Sequence, residues 1–226
     1  MLAYLSLIMV ATLVPRLEVF GDVVWRVPEA KSQVALTFDD GPSPSTTGRV
    51  LEELRARGQR ATFFVIGRKA EAHPELLRAM VEDGHSIGVH GYDHDRMFAF
   101  WEPARVASDI ERCISVVERA TGTRPVLFRP PIGQASPRTF AGAKKAGVEV
   151  VGWSLKGRDG LARTKETQVV ERVKRGARSG AIVLLHDAAE RENFEPASLP
   201  ALPSILDELE RKGLSSVTVE ELLESA

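Results

Sequence analysis

Seven short runs rich in β-branched and aromatic residues, at 33–38, 61–66, 86–89, 125–128, 148–153, 181–185 and 215–219, alternate with amphipathic stretches along this chain. The stretches lie at 47–57, 74–83, 103–121, 137–146, 168–175 and 199–212. In the first, Val50, Leu51 and Leu54 share one helical face, and in the second Leu77, Met80 and Val81 do so. Gly58, Gly84, Gly122, Gly147 and Gly213 stand where these patterns stop, the place at which a left-handed helix cap favours glycine. Strands separated by helices cannot pair through tight hairpins. They run parallel with helices outside, as an α/β barrel or an open doubly wound sheet. The chain has 226 residues, enough for one large domain with its own core.

Charge is nearly balanced, with 30 Lys plus Arg against 31 Asp plus Glu. That argues against nucleic acid as a partner, which calls for a concentrated basic face. A single cysteine, Cys113, excludes an internal disulfide, and its step with Val106, Ile110 and Val117 marks it as a small buried residue. Residues 1–14 are uncharged, and Arg16 is the first basic side chain. The stretch is shorter than the ~20 residues of a spanning helix and lacks the basic start and cleavage signature of an export signal. Residues 1–15 are therefore read as an apolar leader or membrane anchor. That reading offers a route to membrane association and an extracytoplasmic location; a buried N-terminal helix is its alternative.

In parallel α/β folds, chemistry collects at the C-terminal ends of strands. Asp39-Asp40, His90 with His94, Arg129, the stretch 154–159 and His186 all fall there, and they include three of the five histidines. Adjacent carboxylates repel, so Asp39-Asp40 suggests divided labour: one acid on a metal, one on a water. His90 and His94 are spaced to point to one side of a helical turn. Gly91 stands where a metalloprotease helix needs Glu, which removes that reading. With Asp40 as third ligand, the set suits a catalytic divalent ion with an open position: zinc first, with cobalt, nickel or manganese as substitutes. Each piece has a plain explanation in isolation. Asp-Asp-Gly-Pro makes an Asx turn, Arg129 sits before two prolines, and His186-Asp187 could be a loop pair. Their joint occurrence in order outweighs these. His73, before Pro74 at a helix start, is read as a cap or a solvent-facing residue, and His85 as structural.

These residues resemble the polysaccharide deacetylases with a NodB-type domain, carbohydrate esterase family 4, over residues 31–220. Five motifs carry the resemblance: Thr37 to Ser43, His90 to His94, Arg129 to Gly133, Trp153 to Gly160 and Ile182 to Asp187. It implies a distorted (β/α)7 barrel. It also implies Asp39 as catalytic base, Asp40, His90 and His94 as metal ligands, Arg129 orienting the base, and His186 as general acid buttressed by Asp159. Ile132 would offer its backbone N–H to the oxyanion, Leu184 would line the acetyl pocket, and Trp153 would contact substrate. The chain departs from the family at Gly91, usually Ser or Thr, at Ile132, usually aromatic, and at Gly160, usually Trp.

The implied activity is metal-dependent removal of acetyl groups from N-acetylated sugars of a peptidoglycan- or chitin-like glycan. O-acetyl esters, small amides, or a catalytically silent carbohydrate-binding barrel are the alternatives. The apolar loop 97–101 is read first as packing, with sugar or lipid contact by Phe100 or Trp101 as the other uses.

Overall fold

The computed structural model describes residues 12–13, 18–191 and 193–226. The leader or anchor expected at 1–15 thus lies outside the described residues, apart from 12–13. Among the described residues no helix is long and apolar enough to cross a membrane.

The chain alternates as its pattern predicts. The strands are β1 (Gln33–Asp39), β2 (Ala61–Val65), β3 (Ser86–Val89), β4 (Leu127–Phe128), β5 (Glu149–Val150), β6 (Leu155–Lys156), β7 (Ile182–His186) and β8 (Ser215–Ser216). The helices are α1 (Thr47–Ala56), α2 (Gly67–Ala72), α3 (Pro74–Glu82), α4 (Pro103–Thr121), α5 (Pro137–Ala146), α6 (Glu166–Gly176), α7 (Ser198–Arg211) and α8 (Val219–Glu224). All five glycines expected to stop helices have positive φ, between 61° and 78°.

Seven strands run in the order β5-β4-β3-β2-β1-β7-β6, and β8 pairs with β1. Every pairing between these strands is parallel. Laid flat, seven strands would put the outer two roughly 29 Å apart. Yet β5 ends at Val150 and β6 begins at Leu155, a span of about 18 Å at most when fully extended. The sheet therefore curls, as the distorted seven-stranded barrel requires. The segment before β1 crosses its open side: Val24 bridges to Val151 and Arg26 to Ala181.

Strand alternation separates two packing surfaces. Val34, Leu36 and Phe38 join Phe63, Val183 and Leu185 in the cluster beneath α1, α3, α6 and α7. Ala35, Phe64 and Ile182 point the other way, into a smaller interior cluster with Leu127, Val151 and Val217. Cys113 is buried in a third cluster with Val106 and Ile110, and it is a free thiol. Burial pushes that thiol's pKa well up, so it packs as a small hydrophobe.

One local expectation is corrected, and two short elements leave no signal in the sequence. β6, two residues long, is too short to leave a pattern. Residues 217–219 do not continue β8; Thr218 caps α8 by accepting from Glu221 N–H, with Glu221 returning the bond. The six-residue α2 carries no apolar stripe to reveal it.

Candidate metal centre and active site

Alternation along β1 and β7 aims the first group of site residues. Thr37 and Asp39 share the inward side of β1 with Ala35. On β7, Leu184 and His186 share it with Ile182, and Asp39 pairs in register with His186. Asp40 would point away if the strand continued. Instead β1 ends at Asp39 and Asp40 adopts φ 73°, which returns its side chain to the same cleft. Both neighbouring acids reach one site for this reason.

The histidine pair arrives differently from expectation. Residues 90–94 form no helical turn. They make a loop in which Gly91 has φ 78° and His94 φ 54°. The start of α2 holds this loop, with Gly67 N–H donating to the Gly91 carbonyl and Arg68 N–H to that of Tyr92, each at 3.0 Å. Asp109 accepts the Tyr92 N–H at 2.8 Å. A Cβ at position 91 would lie 3.3 Å from Asp109 Oδ1 in a left-handed conformation, so glycine suits this version of the loop.

Asp40, His90 and His94 are buried, and one ligand atom from each lies within 4.8 Å of the others. Asp40 Oδ1 is 3.6 Å from Nε2 of His90 and 3.5 Å from Nε2 of His94. Donors placed tetrahedrally about 2.1 Å from one ion sit about 3.4 Å apart. Nδ1 of His90 lies 2.7 Å from the Arg129 carbonyl. A carbonyl only accepts, so Nδ1 carries the hydrogen and the Nε2 lone pair faces the cluster. Burial lowers the pKa of both histidines, that of His94 to about 4, keeping them neutral as ligands must be. Asp40 Oδ1 is buried without a hydrogen-bond partner, and burial raises its pKa despite His186 and His94 nearby. One buried carboxylate oxygen and two neutral imidazoles converging at this spacing fit a divalent cation.

Beside the cluster, Arg129 is fully buried and fully engaged. Its NH1 donates to Asp39 Oδ1 at 2.6 Å and to Thr37 Oγ1 at 2.8 Å. NH2 donates to the Gly152 carbonyl at 2.8 Å, and Nε to that of Val151 at 3.3 Å. Burial alone would raise the Asp39 pKa, but Arg129, with His90 and His186, outweighs it and holds the carboxylate ionised. His186 has the opposite setting. Burial disfavours its charge, yet Asp159, wholly buried and 3.2 Å from Nδ1, raises its pKa to about 9. At neutral pH the cleft thus holds a carboxylate without a proton and an imidazolium with one.

Asp39, Asp40, His90, His94 and His186 line a cleft of about 600 Å³, together with Ile132, Trp153 and Leu184, while Arg129 and Asp159 are buried behind Asp39 and His186. Ile132 is 44% exposed and held at φ 52°, rare for a β-branched residue. Asp40, His94, Ile132 and Arg158 all line the cleft and all have positive φ. Backbone strain of about 1–3 kcal/mol at each such residue collects at this site. Trp153 lies against Gly133, where a Cβ would strike the indole. At Gly160, where the family usually has Trp, a Cβ would come within 2.9 Å of the His186 ring. In the loop 97–101, Phe98 is buried and Trp101 packs on it at 5.0 Å, whereas Met97 and Phe100 are exposed. Burial lowers the His85 pKa to about 4, and its Nδ1 accepts the Ala61 N–H, a structural place as expected.

Thr37, Lys156 and Arg158, which fall inside the motifs but carry no assigned role there, also belong to the site, as does Glu190, which the sequence did not point to. Thr37 was detectable, since it lies two residues before Asp39 on the same strand face. Glu190, whose Oε1 is 3.6 Å from Nδ1 of His94, follows β7 in a loop with no regular pattern.

Residues 26–151 match the family model described as polysaccharide deacetylase. The chain is 39% identical over 210 residues to a peptidoglycan-N-acetylglucosamine deacetylase of Bacillus cereus, covering 92% of this chain and 95% of that one. It is 38% identical over 167 residues to a chitooligosaccharide deacetylase of Azorhizobium caulinodans, covering 72% and 77%. The structure of the peptidoglycan deacetylase PdaC from Bacillus subtilis superimposes with a TM-score of 0.77 at 30% identity, covering 88% of this chain and 93% of that one. The chain belongs to the polysaccharide deacetylase family and is a carbohydrate deacetylase.

Proposed function

We propose that this protein hydrolyses the N-acetyl group of amino sugars in a peptidoglycan- or chitin-like glycan, using zinc held by Asp40, His90 and His94. In this reading residues 31–220 are the deacetylase domain, residues 1–15 an apolar leader or anchor, and the protein acts at the cell envelope. The observation that carries the proposal is the pair of oppositely set groups beside the metal cluster, Asp39 under Arg129 and His186 over Asp159.

The ion, when bound, polarises the acyl oxygen and makes water a better nucleophile near neutral pH. Asp39 takes the proton of the attacking water, and Arg129 keeps the carboxylate ionised and aimed. Ile132 offers its backbone N–H to the oxyanion that develops on the acyl carbon; one such donor is worth ~2.7–4 kcal/mol of barrier. His186 gives its proton to the departing amine, which otherwise leaves poorly. Leu184 and Trp153 line the space for the acetyl group and the sugar. No covalent intermediate is required.

The test is acetate release from N-acetylglucosamine oligomers and peptidoglycan fragments, abolished by a chelator and restored by zinc. Acetylated ester substrates run in parallel separate amide from ester hydrolysis. Absence of acetate from every amide with zinc bound would overturn the proposal.

A further inference from the structure

Four cationic side chains, Arg96, Lys156, Arg158 and Arg191, line the cleft, although the whole chain carries a net charge of only −1. The acid among them at the rim, Glu190, is already committed. It accepts from Arg96 at 2.7 Å, and Arg191 lies 4.0 Å away. Asp39 and Asp40 lie deeper, turned to Arg129 and the histidines.

Lys156 and Arg158 are different. Both are exposed and both line the cleft: Lys156 ends β6, and Arg158 follows it in the loop beyond the strand. Lys156 Nζ sits 5.2 Å from the centre of the Trp153 ring. Neither has an ion-pair partner among the described residues. Arg158 also holds a left-handed backbone, φ 60°, an expense the fold maintains at the cleft wall. A wholly neutral amino-sugar polymer offers these cations hydroxyl and carbonyl oxygens but no counter-charge. A sugar acid supplies one: a guanidinium presents paired donors to a carboxylate, and an ammonium beside it adds a point charge.

We propose that the cleft selects acid-bearing glycans, with Lys156 and Arg158 receiving a sugar carboxylate such as the lactyl ether acid of a muramic residue. This inference rests on the deacetylase reading above and adds its substrate class. The cations also focus the field of the cleft, raising the encounter rate of anionic glycan at low salt.

The experiment uses the zinc-loaded enzyme on peptide-free glycan strands carrying the free lactyl acid and on the same strands as methyl esters. The expected kcat/KM is at least tenfold higher for the acid at low salt, and raising the salt narrows the ratio. Lys156→Gln with Arg158→Gln brings the acid-to-ester ratio at least fivefold closer to one, whereas Lys156→Arg with Arg158→Lys keeps most of it. Equal rates on acid and ester, insensitive to salt, overturn this inference and leave the deacetylase reading intact. No acetate from either strand or from neutral oligomers overturns that reading instead. A third glycan bearing a phosphate monoester tests the anion; preference for it over the carboxylate overturns the carboxylate assignment.

Discussion

Asp159 holds His186 at two points, accepting the backbone N–H at 2.7 Å and facing ring Nδ1 at 3.2 Å. The double grip fixes both ring position and charge. Burial works against the imidazolium, Asp159 outweighs it, and the pKa rises to about 9. A general acid set this way works below that value and fails as pH rises through it. A divalent ion nearby adds positive charge and moves the limb down. Profiles of kcat/KM against pH should show this alkaline limb, and Asp159→Asn should move it further toward the ordinary histidine value near 6.5. Turnover at pH 7.5 should drop ~10²–10⁴-fold. An unmoved limb would separate Asp159 from the proton donor.

Asp39 and Arg129 form a buried pair at 2.6 Å. Asp39→Asn should remove turnover while zinc stays bound, read by metal content beside acetate release. Arg129→Leu leaves a buried carboxylate unpaired and should cost ~3–5 kcal/mol in urea unfolding, with part recovered when Asp39→Asn is added. No recovery in the double variant would show that the pair is not coupled.

His94 keeps a buried Nδ1 without a hydrogen-bond partner, 3.6 Å from Glu190. Carboxylates behind metal-bound imidazoles orient the ring and raise its basicity. Glu190→Gln should weaken zinc binding ~10-fold or more, measured by competition with a chelating dye. Unchanged affinity would leave Glu190 as a partner of Arg96 alone.

His85 supplies an acid-sensitive element outside the site. Its pKa is lowered to about 4 by burial, and its Nδ1 accepts from Ala61 N–H at 3.2 Å. Between pH 6.5 and 4 the unfolded chain binds a proton here that the folded chain refuses. The stability contributed is present above pH 6.5 and is lost as pH falls through that window, at most about 3 kcal/mol. Urea unfolding at pH 7.5 and 5 should show a smaller loss in His85→Gln than in the unmodified chain.

Gly133 combines φ 72° with the Trp153 indole where a Cβ would stand. Gly133→Ala should destabilise by more than ~1 kcal/mol and raise KM as Trp153 shifts. A change in kcat alone would place the effect elsewhere.

The barrel was legible because alternation and glycine stops are local signals repeated along the chain. The polar residues at strand ends were legible for the same reason, and the structure brings Asp39, Asp40, His90, His94, Arg129, Asp159 and His186 to one cleft. What sequence spacing could not convey was how they arrive. His90 and His94 converge through a loop built on positive φ, not a helical turn, and Asp40 joins Asp39 through the same device. Thr218 with Glu221 announced a helix start, but strand propensity at Ser215 to Val217 masked it. Glu190 occupies a place decided by the chain reversal after β7, for which charge alone carries no position.

The crossing made by Val24 and Arg26 has a consequence for where the folded unit begins. Val24 exchanges hydrogen bonds with Val150 and Gly152, each at 2.9 Å, and Val27 donates to Gly180 at 2.9 Å. This short belt fastens the free margin at β5 to the chain entering β7, like a clasp across the strand hoop. A version starting at Lys31 would keep every catalytic side chain and lose the fastening. Its raw margins would then be open to pairing with other chains.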